Sequence, residues 1–493
     1  MASKRTDHYI TLGVFRDASQ EEIKRAYFEA AQRLHPDKNV AAGETELFLE
    51  IQQAYEVLSN PKRRNLYDAT LPPDINVNAV VKHETLFSRP NLVILGEPQL
   101  IYMLLEVSPR EEKESIPAPP LNICLVLDRS TSMQGEKMDM VKATAIQLMR
   151  SLRAEDVFSV VAFSDRADVI IPAAFNSDKK KQESRIQMMQ TSGATEIYNG
   201  LKAGLQEIRR TVDPSRVNHI ILLTDGQTYG DEQECLKLAE EAATQNIGIS
   251  GMGIGHEWND IFLDALASKT GGSSAYISNP KDIQRLLVDK FNALISTYAD
   301  EVVLELKEQE HIKINYVFRL QPEGGSVAIE SPMRLGPILR EAPLHVLFEL
   351  IVDPSALDED VVSLLNGSLK VSITTRSAPV PPIRLNLKRE VHSTPSSEPP
   401  PTRILSALSR LTLYRMQERA RAAADAGQFD EAARQLQNLA THLLSKGEHS
   451  LAKTALFEAD NLEKMHAWSA SGNKDIKYHT RALLLGGQKE KVK

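Results

Sequence analysis

The chain has 493 residues, enough at roughly 150 residues per domain for about three domains rather than one core. Apolar residues at 42% and charged residues at 25% fill ordinary cores and exclude wholesale disorder. A formal net charge of -8 offers polyphosphate no general attraction, and the two cysteines, Cys124 and Cys235, form no CxxC or Cys/His metal spacing, which disfavours nucleic-acid binding, a disulfide framework and structural zinc.

Residues 1–70 read as all-helical, because Ile23, Ala26, Tyr27, Ala30 and Leu34 recur at helical spacing, as do Phe48, Ile51, Tyr55 and Leu58. Ser19 with Glu22 forms a capping-box pattern and Pro36 stops the helix after His35, which predicts two antiparallel helices joined by His35-Pro36-Asp37-Lys38-Asn39. No apolar signal core follows Met1, and no apolar run approaches the ~20 residues that span a bilayer; a cytoplasmic chain without membrane contact is expected. Residues 71–84, opened by Leu71-Pro72-Pro73-Asp74, read as a linker.

Across 119–298, short apolar strands near 122–127, 157–163, 219–224 and 247–252 alternate with helical segments near 137–152, 198–211, 232–245, 260–269 and 281–297. That alternation predicts an α/β, doubly wound, Rossmann-like unit with a largely parallel sheet. The flanks, 85–118 and 299–391, carry strand-like runs such as Val302-Val303-Leu304-Glu305-Leu306 and read as one β-sandwich-like domain into which the α/β unit is inserted. Residues 392–402 form a Pro/Ser linker, and 403–486 an α-helical bundle. The expected architecture is multidomain.

Alone, His35-Pro36-Asp37 is a helix stop with an incidental histidine. Here it sits between two amphipathic helices, preceded by Tyr9 and Leu12-Gly13-Val14 and followed by Ala54-Tyr55-Glu56-Val57-Leu58 and Pro61-Lys62-Arg63-Arg64-Asn65-Leu66-Tyr67-Asp68. Over essentially its whole length this region resembles a DnaJ J-domain. The resemblance implies that His35, Pro36 and Asp37 contact a DnaK-type heat-shock chaperone and stimulate its ATP hydrolysis. Lys24, Arg25 and Arg33 are either a basic docking face for that chaperone or an ordinary solvated face. Phe28 and Glu29 stand where J-domains commonly carry basic residues, so weaker docking is expected. No nucleophile or phosphate-cradling glycine loop accompanies the tripeptide, which leaves the ATP to the other protein.

Asp128-Arg129-Ser130-Thr131-Ser132 follows the apolar strand Ile123 to Leu127; Thr195 lies in a loop before a helix, and Asp225 ends the strand that begins at His219. If these loops gather at the carboxyl edge of one sheet, they lie where doubly wound folds place ligand sites. The DxSxS run with its distal Thr and Asp resembles the metal-ion-dependent adhesion site of a von Willebrand factor type A domain. That resemblance implies a metal set of Asp128, Ser130, Ser132, Thr195 and Asp225, the serines direct and Asp225 direct or through water. Hard oxygen donors suit Mg2+, with Mn2+ or Ca2+ as alternatives. Two carboxylates balance a divalent ion and leave an open position attractive to a partner's Glu or Asp side chain. Without HExxH or a second carboxylate cluster, binding is expected rather than catalysis.

Tyr198, Tyr229 and Trp258 either ring this cup as a contact rim or pack on their own helices. Gly251-Met252-Gly253-Ile254-Gly255 lacks the spacing of a dinucleotide loop and follows a late strand, and Cys124 and Cys235 read as inert packing. The expected function is that of a J-domain co-chaperone that selects protein clients through a metal-bridged carboxylate. The Gly/Phe-rich segment and cysteine-rich zinc domain of the DnaJ prototype are not in this sequence. The alternative is a metal-dependent scaffold for assembly of a complex, working with a MoxR-type AAA+ ATPase.

Overall fold

The computed structural model describes residues 7–14, 16, 18–34, 44–68, 70, 80–110, 118–175, 178–228, 230–307, 309–376 and 380–484. The N-terminal unit holds α1 (His8–Leu12), α2 (Gln20–Leu34), α3 (Glu44–Leu58) and α4 (Pro61–Asp68). The capping box forms as expected: Ser19 N–H donates to Glu22 Oε2 at 2.6 Å and Glu22 N–H to Ser19 Oγ at 3.2 Å. Ile23, Ala30 and Leu34 of α2 pack with Ile51, Ala54 and Leu58 of α3, and Tyr27 stacks on Tyr55 at 4.2 Å. Two further helices join the two read from periodicity. The 5-residue α1 is capped by the Asp7 side chain and stopped by left-handed Gly13. The 8-residue α4 opens at Pro61, with Asn60 Oδ1 accepting from Lys62 and Arg63 N–H. Neither is long enough to repeat an apolar face. His35, Pro36 and Asp37 lie outside the described residues.

Next come β1 (Val81–Phe87), β2 (Leu92–Val93) and β3 (Gln99–Pro109). Val81 therefore opens a strand inside the stretch read as linker to 84. The α/β unit follows with β4 (Leu121–Asp128), α5 (Glu136–Ser151), β5 (Val157–Phe163), β6 (Ala167–Phe175), α6 (Lys179–Gln187) and α7 (Ile197–Arg210). It continues through β7 (Val217–Thr224), α8 (Glu232–Thr244), β8 (Ile247–Ile254), α9 (Asp260–Lys269), β9 (Ser274–Ile277) and α10 (Asp282–Ile295). The sheet order is β6-β5-β4-β7-β8-β9, parallel except at β6.

Along β4, Ile123, Leu125 and Leu127 enter one core while Cys124 and Val126 enter the other, so the run Ile123 to Leu127 is apolar on both faces rather than alternating. The sequence reading passes over β6, α6 and β9. The first is a half-exposed edge strand, and α6 (KKKQESRIQ) buries only Ile186, so neither carries a clear period. From β4 the chain runs outward to β5 and β6, then returns across to β7. The loops after β4 and β7 thus diverge, opening a crevice at the carboxyl edge.

The remaining strands are β10 (Thr297–Leu306), β11 (Ile312–Gln321), β12 (Gly325–Ser326), β13 (Met333–Leu339), β14 (Leu344–Val352), β15 (Val361–Ser372) and β16 (Ile383–His392). With β1 to β3 they form two five-stranded sheets, β1-β3-β14-β11-β12 and β13-β10-β15-β16-β2. Strands from both sides of the α/β unit thus share sheets, and Met103 and Leu105 pack in one core with Val302, Leu304 and Leu369. The Pro/Ser run after β16 is pinned: Asn91 Nδ2 donates to the Thr394 carbonyl at 3.2 Å, and Asn91 Oδ1 accepts from Ser396 N–H at 3.0 Å.

The tail is α11 (Thr402–Asp425), α12 (Phe429–Ser445), α13 (His449–Met465) and α14 (Gly472–Leu484). Ile404, Leu411 and Tyr414 of α11 pack on Leu104, Phe318 and Leu347 of the first sheet, while Leu413 and Ala420 face the other tail helices. The tail also closes on α9 through a buried ion cluster. Arg421 donates to Asp260 at 2.6 and 3.1 Å, Lys477 donates to Asp260 and lies 2.7 Å from Asp264, and Arg481 donates to Asp264 at 2.7 and 3.0 Å. Burial pushes the Asp260 carboxyl up, but the Arg421 and Lys477 cations outweigh it and hold it at about 2.

Asp260→Asn leaves Lys477 and Arg421 facing a neutral amide, and the expected loss of stability is about 3–5 kcal/mol in denaturant titrations. The wild-type carboxylate contributes fully above its ordinary value of 3.8 and its contribution disappears as pH falls through about 2; melting curves over that interval should show this acid loss in wild type and a smaller one in Asp260→Asn.

Candidate functional site

The crevice at the carboxyl edge gathers the residues read as a metal set. Asp128, the last residue of β4, is buried: its Oδ1 accepts from Ser130 N–H at 2.8 Å and its Oδ2 from the Thr224 hydroxyl at 2.7 Å. The chain then makes a short 3-10 turn, Thr131–Met133, that brings Ser130 Oγ within 3.0 Å of Ser132 Oγ. Ser132 Oγ in turn donates to Asp225 Oδ1 at 2.7 Å. Thr195 is buried opposite Gly226, where any Cβ would stand 2.8 Å from Thr195 Oγ1; glycine therefore lets the Thr195 loop close on the end of β7.

Backbone bonds stitch the loops together. Arg129 N–H donates to the Phe163 carbonyl, Ser192 N–H to the Arg129 carbonyl and Glu196 N–H to the Ser164 carbonyl, at 2.8, 2.8 and 2.9 Å.

Burial pushes the Asp128 carboxyl above its ordinary value; the Ser130 and Thr224 hydrogen bonds pull it back, and nearby Asp225 adds to the rise. Asp225 meets a cation: Lys137 Nζ lies 2.5 Å from its Oδ2 and donates to the Ser132 carbonyl at 3.2 Å. Among the described residues no cluster of three or more His, Cys, Asp or Glu could hold a metal, so an ion in this cup would draw on hydroxyls. An octahedral Mg2+ with ligands at about 2.1 Å sets neighbouring oxygens about 3 Å apart, and the Ser130, Ser132 and Asp225 oxygens fit that spacing.

Family models match three stretches: a DnaJ domain at 7–68, a von Willebrand factor type A domain at 122–289, and an Sll0103-like C-terminal alpha-helical domain at 402–486. The chain carries a DnaJ domain and a von Willebrand factor type A domain. An uncharacterized protein of Synechocystis sp., sll0103, is 29% identical over 334 residues, 65% of this chain and 78% of that one. Chaperone protein DnaJ 2 of Thermus thermophilus is 53% identical over 68 residues, 14% of this chain and 24% of that protein, so the likeness to this chaperone covers about a quarter of its length. A solved von Willebrand factor type A structure from Catenulispora acidiphila covers 83% of this chain and 98% of its own at TM-score 0.64 and 13% identity, a likeness of fold.

On the DnaJ domain, Lys24 and Arg25 are exposed on α2, and Arg33 falls on the same helix. On the type A domain, Asp128, Ser130, Ser132, Thr195 and Asp225 all meet at one edge, and of the two readings of Trp258, contact rim or packing, the structure shows packing. Trp258 is 1% exposed, with Nε1 donating to the Gly255 carbonyl at 2.8 Å. Its ring occupies the space a Cβ on Gly253 would need, at 1.9 Å, which is the reason for that glycine. Tyr478 of α14 packs beside it at 5.8 Å and Lys474 Nζ sits over the ring at 5.1 Å. Tyr198 is half-buried, with Lys202 Nζ 5.4 Å above its ring, and Tyr229 lies outside the described residues.

Thr224 and Lys137 are the site residues that sequence reasoning missed. Thr224 directly precedes Asp225, and Lys137 stands in the first turn of α5, where the helix dipole disfavours a cation. Cys124 and Cys235 are buried, and burial pushes both thiols up, Cys124 to about 12. Among the described residues no helix is long and apolar enough to cross a membrane.

Trp258→Ala should act as a core truncation, costing about 3–5 kcal/mol of stability in calorimetry. A Trp258→Ala protein that melts like wild type would return the residue to the partner surface.

Proposed function

We propose that this chain is a co-chaperone adaptor: its DnaJ domain stimulates the ATPase of a DnaK-type chaperone, and its type A domain captures a protein client through a divalent ion, Mg2+ in the first instance. The observation that carries the reading is the convergence of Asp128, Ser130, Ser132, Thr195 and Asp225 at one sheet edge of a chain that also carries a DnaJ domain. Two carboxylates balance a divalent charge, so the ion would keep an open position for a partner's carboxylate. A β-sandwich interrupted by the type A unit serves as the mount for this cup. The chain itself performs no covalent chemistry; ATP is bound and cleaved by the chaperone.

His35→Gln should abolish stimulation of a purified DnaK's ATPase while circular dichroism stays unchanged; equal stimulation by this variant removes the chaperone half. In affinity purification, client proteins should be lost from Asp128→Ala and on chelation. A metal-dependent assembly that forms equally with His35→Gln and contains no DnaK-type chaperone points instead to a scaffold.

A further inference from the structure

We propose that Lys137 is the resident cation of the cup: it neutralises Asp225 in the metal-free protein and is surrendered to the partner's carboxylate when the cup fills. The inference rests on the metal-cup reading above and adds how filling is regulated. Its ground is geometric. Asp225 has a side chain with no exposure at all, and the ammonium that meets it at 2.5 Å comes from a side chain that is 29% exposed and reaches back from α5. The same ammonium donates to the Ser132 carbonyl, so it spans the two halves of the cup, the turn after β4 and the end of β7.

The placement runs against local helix chemistry. Glu136 and Asp139 in the same turn suit the positive end of the helix, whereas a lysine there is disfavoured unless something else holds it. Asp225 is what holds it.

Charge arithmetic gives the consequence. Asp128, Asp225 and Lys137 sum to -1, and a divalent ion brings the cup to +1; without Lys137 the same two states carry -2 and 0. Lys137 therefore weakens entry of a cation into the empty cup and leaves the filled cup positive. Once Asp225 turns its charge to the ion, the ammonium is left at the mouth with free donors, which a carboxylate accepts. Ion and carboxylate then strengthen each other's binding, reciprocally. The partner chemistry this selects is an exposed Asp or Glu side chain, and neutral oxygen ligands gain nothing from the released ammonium.

The test is titration of Mn2+ into the full chain by calorimetry, with electron paramagnetic resonance of the free ion as a second readout, in the presence and absence of sodium acetate. Lys137→Met and Lys137→Gln should bind Mn2+ about tenfold or more tightly than wild type without acetate, because one repelling charge is gone. Acetate should tighten Mn2+ binding more in wild type than in either variant, and Lys137→Arg should follow wild type. Binding that Asp128→Ala abolishes but that is equal or weaker in Lys137→Met overturns the role of Lys137 and leaves the cup intact. Absence of binding in wild type and Lys137→Met alike, or binding that survives in Asp128→Ala, overturns the cup reading and this inference with it.

Discussion

The reversal of strand order between β4 and β7 is the constraint on which the site depends. Both strands are buried along their whole length, so the polar side chains within them are hydrogen-bonded, and an aspartate stands at the carboxyl end of each, Asp128 as the last residue of β4 and Asp225 directly after β7. Because the chain leaves these neighbouring strands in opposite directions, the two carboxylates stand at the crevice where the strand order reverses. The hydroxyls of Ser130, Ser132 and Thr224 then spread the charge through short hydrogen bonds. Like charges brought this close in a low-dielectric setting call for a cation, and the chain supplies one of its own in Lys137.

The helical tail packs on the type A unit beside that edge. The loop after β8 is anchored by Trp258 filling the hollow left by Gly253, and α14 covers the indole with Tyr478 and Lys474. A few residues further on, Asp260 and Asp264 bind three cations of the tail. The tail thus serves as a back support for the type A unit, and the same helix α11 rests on the neighbouring β-sheet.

Much of this was legible in the amino-acid order. The strands of the α/β unit are continuous apolar runs, and the helices on them have clear periods, so their positions followed from pattern alone. The DxSxS run and its distal Thr and Asp were visible as residue types, and parallel pairing brings them together. What stayed hidden has common physical causes. Edge strand β6 and polar helix α6 bury too little to leave a period, and β1 begins inside a stretch that Pro and Asn make look like linker. Trp258 stays open between rim and packing in the sequence because part of its cover comes from α14, more than two hundred residues later, and no local pattern announces a long-range contact. Lys137 went unnoticed because its partner lies 88 residues away, although its conflict with the helix dipole was a local sign.

The pinning of the Pro/Ser run by Asn91 has a mechanical meaning. By composition this stretch is a tether with slack, yet backbone groups at Thr394 and Ser396 are fastened to a side chain three hundred residues earlier. The bearing of the helical tail is therefore inherited from the sheet beneath it, and added length in this run would be felt as misalignment of the whole lever before it was felt as freedom.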